Sequence, residues 1–171
     1  MQRKRTAIYF ILVSALTCAG FALGDPGDGI DRHSWKTYTN ARFQYRICYP
    51  ADLMVPQGEP DNGDGQKFLA RDGAELIVYG SNNALDESLK KTLADTGSRL
   101  AGPSGKVTYK MLKANWFVVS GQNGQTVFYS KVLYNSHDDQ FKSFELTYDR
   151  AESALYEPLI ARLAKCFTDL D

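Results

Sequence analysis

The sequence predicts an α+β domain in which two main helices pack on an antiparallel β-sheet of about six to seven strands. Three features of the 171 residues support this fold class. Short segments with alternating apolar and polar residues follow one another directly and are joined by turn dipeptides. Only two segments repeat their apolar residues with a helical period. Strands and helices do not alternate as they do in a parallel sheet, so consecutive strands are expected to be antiparallel.

The first predicted strand runs from Phe43 to Tyr49. Large apolar and polar residues alternate along it, which is typical of a strand with one buried face. Pro50 ends the segment because proline cannot donate a ladder hydrogen bond. The buried face is expected to carry Phe43, Tyr45, Ile47 and Tyr49. The opposite face is expected to carry Gln44, Arg46 and Cys48.

Residues 51–66 are predicted to form a long loop, because they carry three clusters of proline or glycine. Long loops in compact domains often carry function. The next two segments, 67–71 and 74–80, are predicted to pair as a hairpin. Asp72 and Gly73 join them, and this dipeptide tolerates the positive φ angles of a tight turn.

An amphipathic helix is predicted next, because three leucines recur every four residues. They are Leu85, Leu89 and Leu93. Asn83 is the predicted N-cap, and Gly97 or Gly102 the predicted end. Glu87 and Lys91 lie one turn apart and are expected to pair on the helix surface.

The second half of the chain is predicted to add four strands and a closing helix. The strands are 106–112, 115–121, 125–134 and 141–148. Asn123 and Gly124 form the strongest hairpin signal in the sequence and separate the second and third of these strands. Leucines with helical spacing predict the final helix at 154–170.

Residues 1–24 have the layout of a secretory signal peptide, with a basic start, an apolar run and small residues that permit cleavage before Leu23 or Asp25. Two alternatives remain open. The segment could stay uncleaved as a membrane anchor, because its apolar run approaches the ~18 residues that span a bilayer. Cys18 could instead be lipidated, although Ala15 and Thr17 fit a lipoprotein signal poorly.

The prediction is therefore a signal peptide at 1–24, a flexible leader at 25–34 and a single α+β domain at 35–171, located in the periplasm. The whole chain has 20 basic and 20 acidic residues. Cleavage removes three basic residues and leaves 17 against 20, a net charge of −3. A mildly acidic domain of this kind is a poor candidate for binding nucleic acid or anionic lipid. We expect no stable membrane insertion after cleavage.

Cleavage would leave two cysteines, Cys48 and Cys166. An even number of cysteines in an exported protein favours a disulfide. The alternative is two buried free thiols. A disulfide would join the last helix to the Arg46 side of the first strand.

The order of these elements resembles the PsbP/DcrB-type fold. The resemblance rests on Phe-x-Tyr-x-Ile-x-Tyr-Pro at 43–50, the hairpin at Asp72-Gly73, the helix in mid-chain, the antiparallel run and the closing helix that ends at Phe167. It covers about residues 35–170. Members of that superfamily are mostly non-enzymatic: photosystem extrinsic subunits, Ran-binding factors, envelope proteins and chaperones of secreted toxins. The resemblance implies a binding or assembly module, and the export segment suits the envelope members.

The sequence offers no complete catalytic or metal-binding motif. His33 lies in the leader, and His137 lies in a polar turn where no second histidine or free cysteine is placed to help. The acidic segment at 61–65 does not match a calcium loop, because Pro60 and Arg71 occupy positions that require acids. We therefore predict no catalytic residue, no metal and no cofactor.

The leading functional hypothesis is a non-catalytic periplasmic module that binds a protein partner of the cell envelope through an exposed sheet face or the 51–66 loop. One specific form is an immunity protein that neutralises a toxin directed to the periplasm. The rival is a hydrolase that uses carboxylates such as Asp61, Asp64 or Asp72. The oligomeric state stays open. The candidate partner-binding residues of the loop are Pro56, Glu59, Asp61, Asn62 and Asp64.

Overall fold

The computed structural model describes residues 32–170. The predicted signal peptide, both cleavage sites, Cys18 and residues 25–31 of the leader lie outside this range. The strands are β1 (Trp35–Asn40), β2 (Tyr45–Pro50), β3 (Met54–Pro56), β4 (Gly65–Ala70), β5 (Glu75–Asn82), β6 (Lys106–Leu112), β7 (Trp116–Asn123), β8 (Thr126–Asn135), β9 (Gln140–Asp149) and β10 (Thr168–Asp169). The helices are α1 (Leu89–Ala101) and α2 (Ser153–Cys166), with a short 3-10 helix at Arg150–Glu152 before α2.

The strands form two antiparallel sheets. The larger sheet has seven strands in the order β3-β4-β5-β9-β8-β7-β6, and the smaller has three in the order β1-β2-β10. The predicted α+β class, with an antiparallel sheet of six to seven strands and two helices, is confirmed. The predicted turns at Gly73 and Gly124 are also confirmed, since both glycines adopt the positive φ that a tight hairpin requires.

Each face of the large sheet carries its own apolar core. One core lies between the sheet, the small sheet and α2, and it contains the predicted buried face of β2 at Tyr45, Ile47 and Tyr49. The other core lies under α1 and is centred on Phe117, Phe128 and Phe141. Residues of β9 alternate between the two, as the period of a strand requires. The sheet is therefore a central layer, covered on one face by the small sheet and α2 and on part of the other face by α1.

Three strands, β1, β3 and β10, were not predicted from the sequence. β1 precedes the predicted first strand and pairs with β2 along its whole length. Its side chains are mostly exposed, so apolar alternation is weak. β3 lies inside the predicted 51–66 loop, where it pairs with β4 through Pro56 and Phe68. A three-residue edge strand that ends in proline carries almost no periodic signal.

The predicted start of the first helix was wrong. Ser88, not Asn83, is the N-cap of α1, and its hydroxyl accepts a hydrogen bond from the Lys91 amide at 3.2 Å. Asn83 instead caps the preceding turn by accepting from the Glu87 amide at 2.8 Å. Leu85 is therefore outside the helix and 80% exposed. The predicted Glu87–Lys91 pair is confirmed, at 2.8 Å.

Of the two predicted helix ends, Gly102 is correct. It has a positive φ, and its amide donates to the carbonyl of Ser98 at 2.9 Å. Gly97 lies inside α1 and is buried. A Cβ at this position would lie only 3.1 Å from the Val107 side chain. Glycine thus lets the helix approach β6 and β7 closely.

The predicted end of the last helix, at residue 170, was four residues too late. α2 stops at Cys166, and β10 then pairs with β2. A disulfide joins Cys48 of β2 to Cys166 across 118 residues of sequence, with the two Cα atoms 5.8 Å apart. The disulfide and β10 together hold the C-terminal segment against the small sheet.

Candidate interaction surface

The loop between β3 and β4 is ordered by the hairpin that joins β1 to β2. Four side chains of that hairpin donate hydrogen bonds to it: Tyr38 to the Glu59 carboxylate, Asn40 to the Gly63 carbonyl (2.9 Å), Arg42 to the Asn62 carbonyl, and Tyr45 to the Asp64 carbonyl (3.1 Å). Both ends are also pinned by backbone bonds from Gln57 to Lys67 and from Gly80 to Asp64, each of 2.8 Å. Residues 57–64 therefore form a fixed rim.

An open groove of about 380 Å³ lies between this rim and the neighbouring strands β4 and β5. We call it the loop groove. Gln57 and Pro60 line it on the loop side, and Lys67, Ile77 and Tyr79 line it on the sheet side. These three sheet residues lie on the same face of the sheet as α1, which packs on β6 and β7. The helix thus leaves this part of the face accessible, and the loop beside it completes a concave surface.

The rim of the groove is acidic. Glu59, Asp61 and Asp64 lie within six residues of one another, and none of them forms an ion pair within the described chain. Lys67 beside them is engaged by Glu75 at 3.0 Å. Burial and the hydrogen bond to the Glu59 carboxylate raise the pKa of Tyr38 to about 12, so this rim hydroxyl stays protonated. The groove therefore presents net negative charge to an incoming ligand.

A partly buried polar cluster lies between the groove and α1. The Tyr79 hydroxyl donates to Glu145 at 2.9 Å, and both guanidinium nitrogens of Arg99 on α1 also bind this carboxylate. Burial, reinforced by Glu145, raises the pKa of Tyr79 to about 12. The pairing with Glu145 raises the pKa of Arg99. Tyr79 therefore stays protonated and Arg99 stays charged, and their hydrogen bonds to Glu145 join α1 to the sheet.

The structure separates Asp72 from Asp64, two of the three carboxylates of the hydrolase hypothesis. Asp64 and Asp72 flank β4 at its opposite ends, and a six-residue strand places them roughly 20 Å apart. Carboxylate pairs that share a reaction lie within ~10 Å of each other. Asp72 accepts hydrogen bonds from the Tyr156 hydroxyl at 2.8 and 2.9 Å. Asp61 is exposed on the rim. Asp64 and Asp72 are therefore too far apart to act on one substrate atom.

The predicted loop residues have different roles in this site. Glu59, Asn62 and Asp64 hold the rim through hydrogen bonds, and Asn62 also donates to Asp64 at 2.7 Å. Pro56 belongs to β3, and Asp61 projects from the rim. Ile77 and Tyr79, which form the floor of the loop groove, were not predicted as site residues. Their alternation with the buried Leu76 and Val78 places them together on the opposite face of β5.

Residues 32–170 contain no group of three or more His, Cys, Asp or Glu residues arranged to hold a metal ion. They also contain no helix long and apolar enough to cross a membrane.

The fold resembles that of two solved proteins. The solution structure of cyanobacterial PsbP (CyanoP) from Synechocystis sp. PCC 6803 superposes with a TM-score of 0.60 at 15% identity, covering 92% of this chain and 98% of that one. The crystal structure of the Saccharomyces cerevisiae Ran-binding protein Mog1p superposes with a TM-score of 0.62 at 10% identity, covering 81% and 97%. No protein-family model and no curated protein sequence matches the chain. The PsbP-like fold expected from the sequence is thereby confirmed, whereas the envelope branch stays a prediction.

Proposed function

We propose that this protein is a non-catalytic binding module whose protein partner docks in the loop groove. The observation that supports it most directly is the groove itself: a rigid acidic rim stands beside an accessible sheet face of half-buried Ile77 and Tyr79. Protein interfaces usually have aromatic and aliphatic surface at the centre and charged residues at the rim. The two tyrosine hydroxyls beside it, those of Tyr38 and Tyr79, each donate to a carboxylate. The site therefore suits recognition more than chemistry.

Charge complementarity indicates the partner. Because the rim carries Glu59, Asp61 and Asp64 with no ion pair in the described chain, a partner with a basic patch would gain favourable long-range attraction. The resemblance in fold to a Ran-binding protein is consistent with a binding role.

We further propose that the protein acts in the periplasm and binds an envelope protein there. The signal-like segment at residues 1–24 supports export. The Cys48–Cys166 disulfide supports the same location, because disulfides persist in oxidising compartments. Mass spectrometry of the mature N-terminus tests this part. We expect Leu23 or Asp25 as the first residue. A retained Met1 or an acylated Cys18 would show instead that the protein is anchored to the membrane.

In-vivo crosslinking followed by affinity purification tests the groove. Asp61→Arg and Ile77→Lys place positive charge on the rim and on the floor, and each is expected to reduce recovery of a specific crosslinked partner by tenfold or more, on the order of 1.4 kcal/mol. Neither change touches the hydrogen bonds that hold the loop. Replacing the whole predicted loop, residues 51–66, is a poorer test because it also replaces Gly65. A Cβ at Gly65 would meet the Val78 carbonyl oxygen at 2.0 Å, so the replacement would also disturb the sheet.

Glu157→Arg on the exposed face of α2 is the matched control for Asp61→Arg, since both replace an acidic residue by arginine and Glu157 lies away from the groove. It should leave partner recovery unchanged. Equal recovery from all three variants would remove the groove from the proposed function.

A further inference from the structure

The opposite edge of the large sheet carries a second exposed surface. β6 is the last strand on this side, and all seven of its residues are exposed. Half of the large exposed apolar side chains of residues 32–170 lie on it, with 36% to 46% of their surface accessible: Val107, Tyr109, Met111 and Leu112. An edge strand of this length with apolar side chains is a template for pairing with another strand.

The hydrogen bonds of the β6–β7 hairpin show which backbone groups are unused. The Lys113 amide donates to the Trp116 carbonyl at 2.8 Å, so these two residues form a hydrogen-bonded pair. Hydrogen-bonded and non-hydrogen-bonded pairs alternate along an antiparallel ladder. Met111 with Val118 is therefore the next hydrogen-bonded pair, whereas Lys110 and Leu112 direct their N–H and C=O groups away from β7. These groups are available to an added strand.

A groove runs beside this edge. α1 and β6 enclose an open space of about 430 Å³, lined on the helix by Leu93, Gly97 and Ala101 and on the strand by Val107 and Lys110. A strand added to β6 would place every second side chain into this groove. Its other side chains would lie beside Tyr109 and Met111 on the opposite face. An edge strand next to a helix-lined groove is the geometry of peptide binding by strand addition.

The charge around this edge is basic, although the chain as a whole is not. No Asp or Glu lies between Asp95 and Asp138. Five basic residues do: Arg99, Lys106, Lys110, Lys113 and Lys131. Arg99 is bound by Glu145, and the Lys131 ammonium donates to the Ala164 carbonyl at 2.6 Å. The other three are exposed and have no ion-pair partner in the part of the chain that the structure describes.

We propose that the β6 edge binds an extended segment of a protein partner in which acidic and apolar residues alternate. The segment would pair with the free backbone groups of Lys110 and Leu112 and place its acidic side chains near the lysines. Its apolar side chains would cover the exposed apolar residues. A second copy of this chain fits less well, because a symmetric β6–β6 pair would bring like-charged Lys110 side chains together. This surface is about 20 Å from the loop groove, four strand spacings away, and the proposal does not depend on that groove.

The test uses the purified protein and three fluorescent peptides of equal length. The probe alternates Glu and Val, one control alternates Lys and Val, and a second control is the Glu/Val peptide with a central proline. Fluorescence anisotropy should detect binding of the probe, weakening as salt is added. The Lys/Val peptide should bind at least tenfold more weakly because of charge repulsion. The proline peptide should also bind more weakly, because it lacks a backbone donor.

Two variants and one control locate the site. Lys110→Glu combined with Lys113→Glu should weaken probe binding by tenfold or more, and the neutral pair Lys110→Gln with Lys113→Gln should have a smaller effect in the same direction. Lys36→Glu makes the same charge change per residue, at one position, on another exposed edge strand and should alter binding less than about twofold. Equal binding by all variants would overturn the proposal, as would no detectable binding of the probe at low salt.

Amide hydrogen exchange distinguishes strand addition from side-chain docking. The probe should slow exchange of the Lys110 and Leu112 amides at least tenfold and leave the Met111 amide, already bonded to β7, unchanged. Unaltered exchange at Lys110 and Leu112 would overturn the proposal. So would a dimer in sedimentation velocity that Lys110→Glu dissociates, since a second copy would then occupy the edge. Tighter probe binding after deletion of the acidic residues 25–31 would likewise assign the edge to this chain's own leader.

Discussion

The two edges of the seven-stranded sheet differ in how they are protected from unwanted pairing. At one edge, β3 has three residues, ends in Pro56 and is continued by the fixed acidic rim. At the other, β6 has seven exposed residues, no proline and two lysines, and Lys113 follows it directly. Short length and proline close an edge to every partner, whereas lysines exclude only partners without negative charge. The first edge is blocked by its geometry, and the second is selective by its charge.

The disulfide joins β2 to α2 on one face of the large sheet, and its removal should destabilise that half of the molecule more than the half under α1. Replacing Cys48 and Cys166 by alanine is expected to lower the free energy of unfolding by about 2–5 kcal/mol, because the cross-link closes a loop of 118 residues. Urea unfolding measures the loss. Hydrogen exchange should accelerate in β2 and α2 before it does in β7. Equal acceleration in all three would show that the two halves unfold as one unit.

Two buried glycines allow each edge to be disturbed separately. A Cβ at Gly65 would meet the Val78 carbonyl oxygen at 2.0 Å, and a Cβ at Gly121 would meet the Lys106 carbonyl oxygen at 2.1 Å. Gly65→Ala and Gly121→Ala are each expected to cost about 1–3 kcal/mol in urea unfolding. Gly65→Ala should impair partner recovery and spare binding of the Glu/Val peptide, and Gly121→Ala should do the reverse. Each variant is the control of the other, and loss of both activities in either one would contradict separate surfaces.

Glu145 lies between the two regions and links them. Glu145→Gln keeps the shape of the side chain but weakens its bonds to Arg99 and Tyr79, so we expect a loss of about 1–2 kcal/mol. The half-exposed Arg99 side chain limits the effect through solvent screening. Tyr79→Phe removes one bond and should cost about 1 kcal/mol. Glu145→Gln should retain binding at both surfaces, and Tyr79→Phe, which alters the loop groove itself, should retain binding at β6. A loss at β6 in either variant would show that the surfaces are coupled.

The smallest expected effect concerns Asp52, which anchors the start of the described chain near the acidic edge. Burial tends to raise its pKa, but hydrogen bonds with His33 (2.8 Å) and from the Ser34 amide (2.9 Å) outweigh burial and lower it. Because the folded pKa is the lower one, this stabilisation is present above the unfolded pKa of ~3.9 and is lost as the pH falls below it. Asp52→Asn should therefore cost under about 1 kcal/mol at neutral pH.

Urea unfolding as a function of pH measures this difference. The stabilities of the wild type and Asp52→Asn should converge at low pH. A difference that persists well below pH ~3 would assign the effect to a cause other than ionisation of Asp52.

Local sequence signals predicted those elements whose residues share a strong period or a specific turn. The predicted bounds of β6 were matched, and the hairpins at Gly73 and Gly124 formed because few other residues tolerate those φ angles. The predictions failed where tertiary partners decide the structure. β1, β3 and β10 are short or exposed strands that exist because β2 and β4 pair with them. Asn83 and Ser88 are both suitable N-caps. Ser88 is selected because Leu89 and Leu93 of α1 pack against the core of the large sheet.

The candidate surfaces divide in the same way. The loop residues and the acid-free segment between Asp95 and Asp138 can be read directly from the order of residues, as can the signal-like start and the two remaining cysteines. Only the folded chain brings the rim beside Ile77 and Tyr79, separates Asp64 from Asp72, and leaves β6 at an edge. Periodicity and charge are properties of neighbouring residues, so the sequence alone predicted the class of fold and the composition of the candidate surfaces. Strand order depends on pairings between distant segments, and the tertiary structure therefore decided which residues meet and which edges stay open.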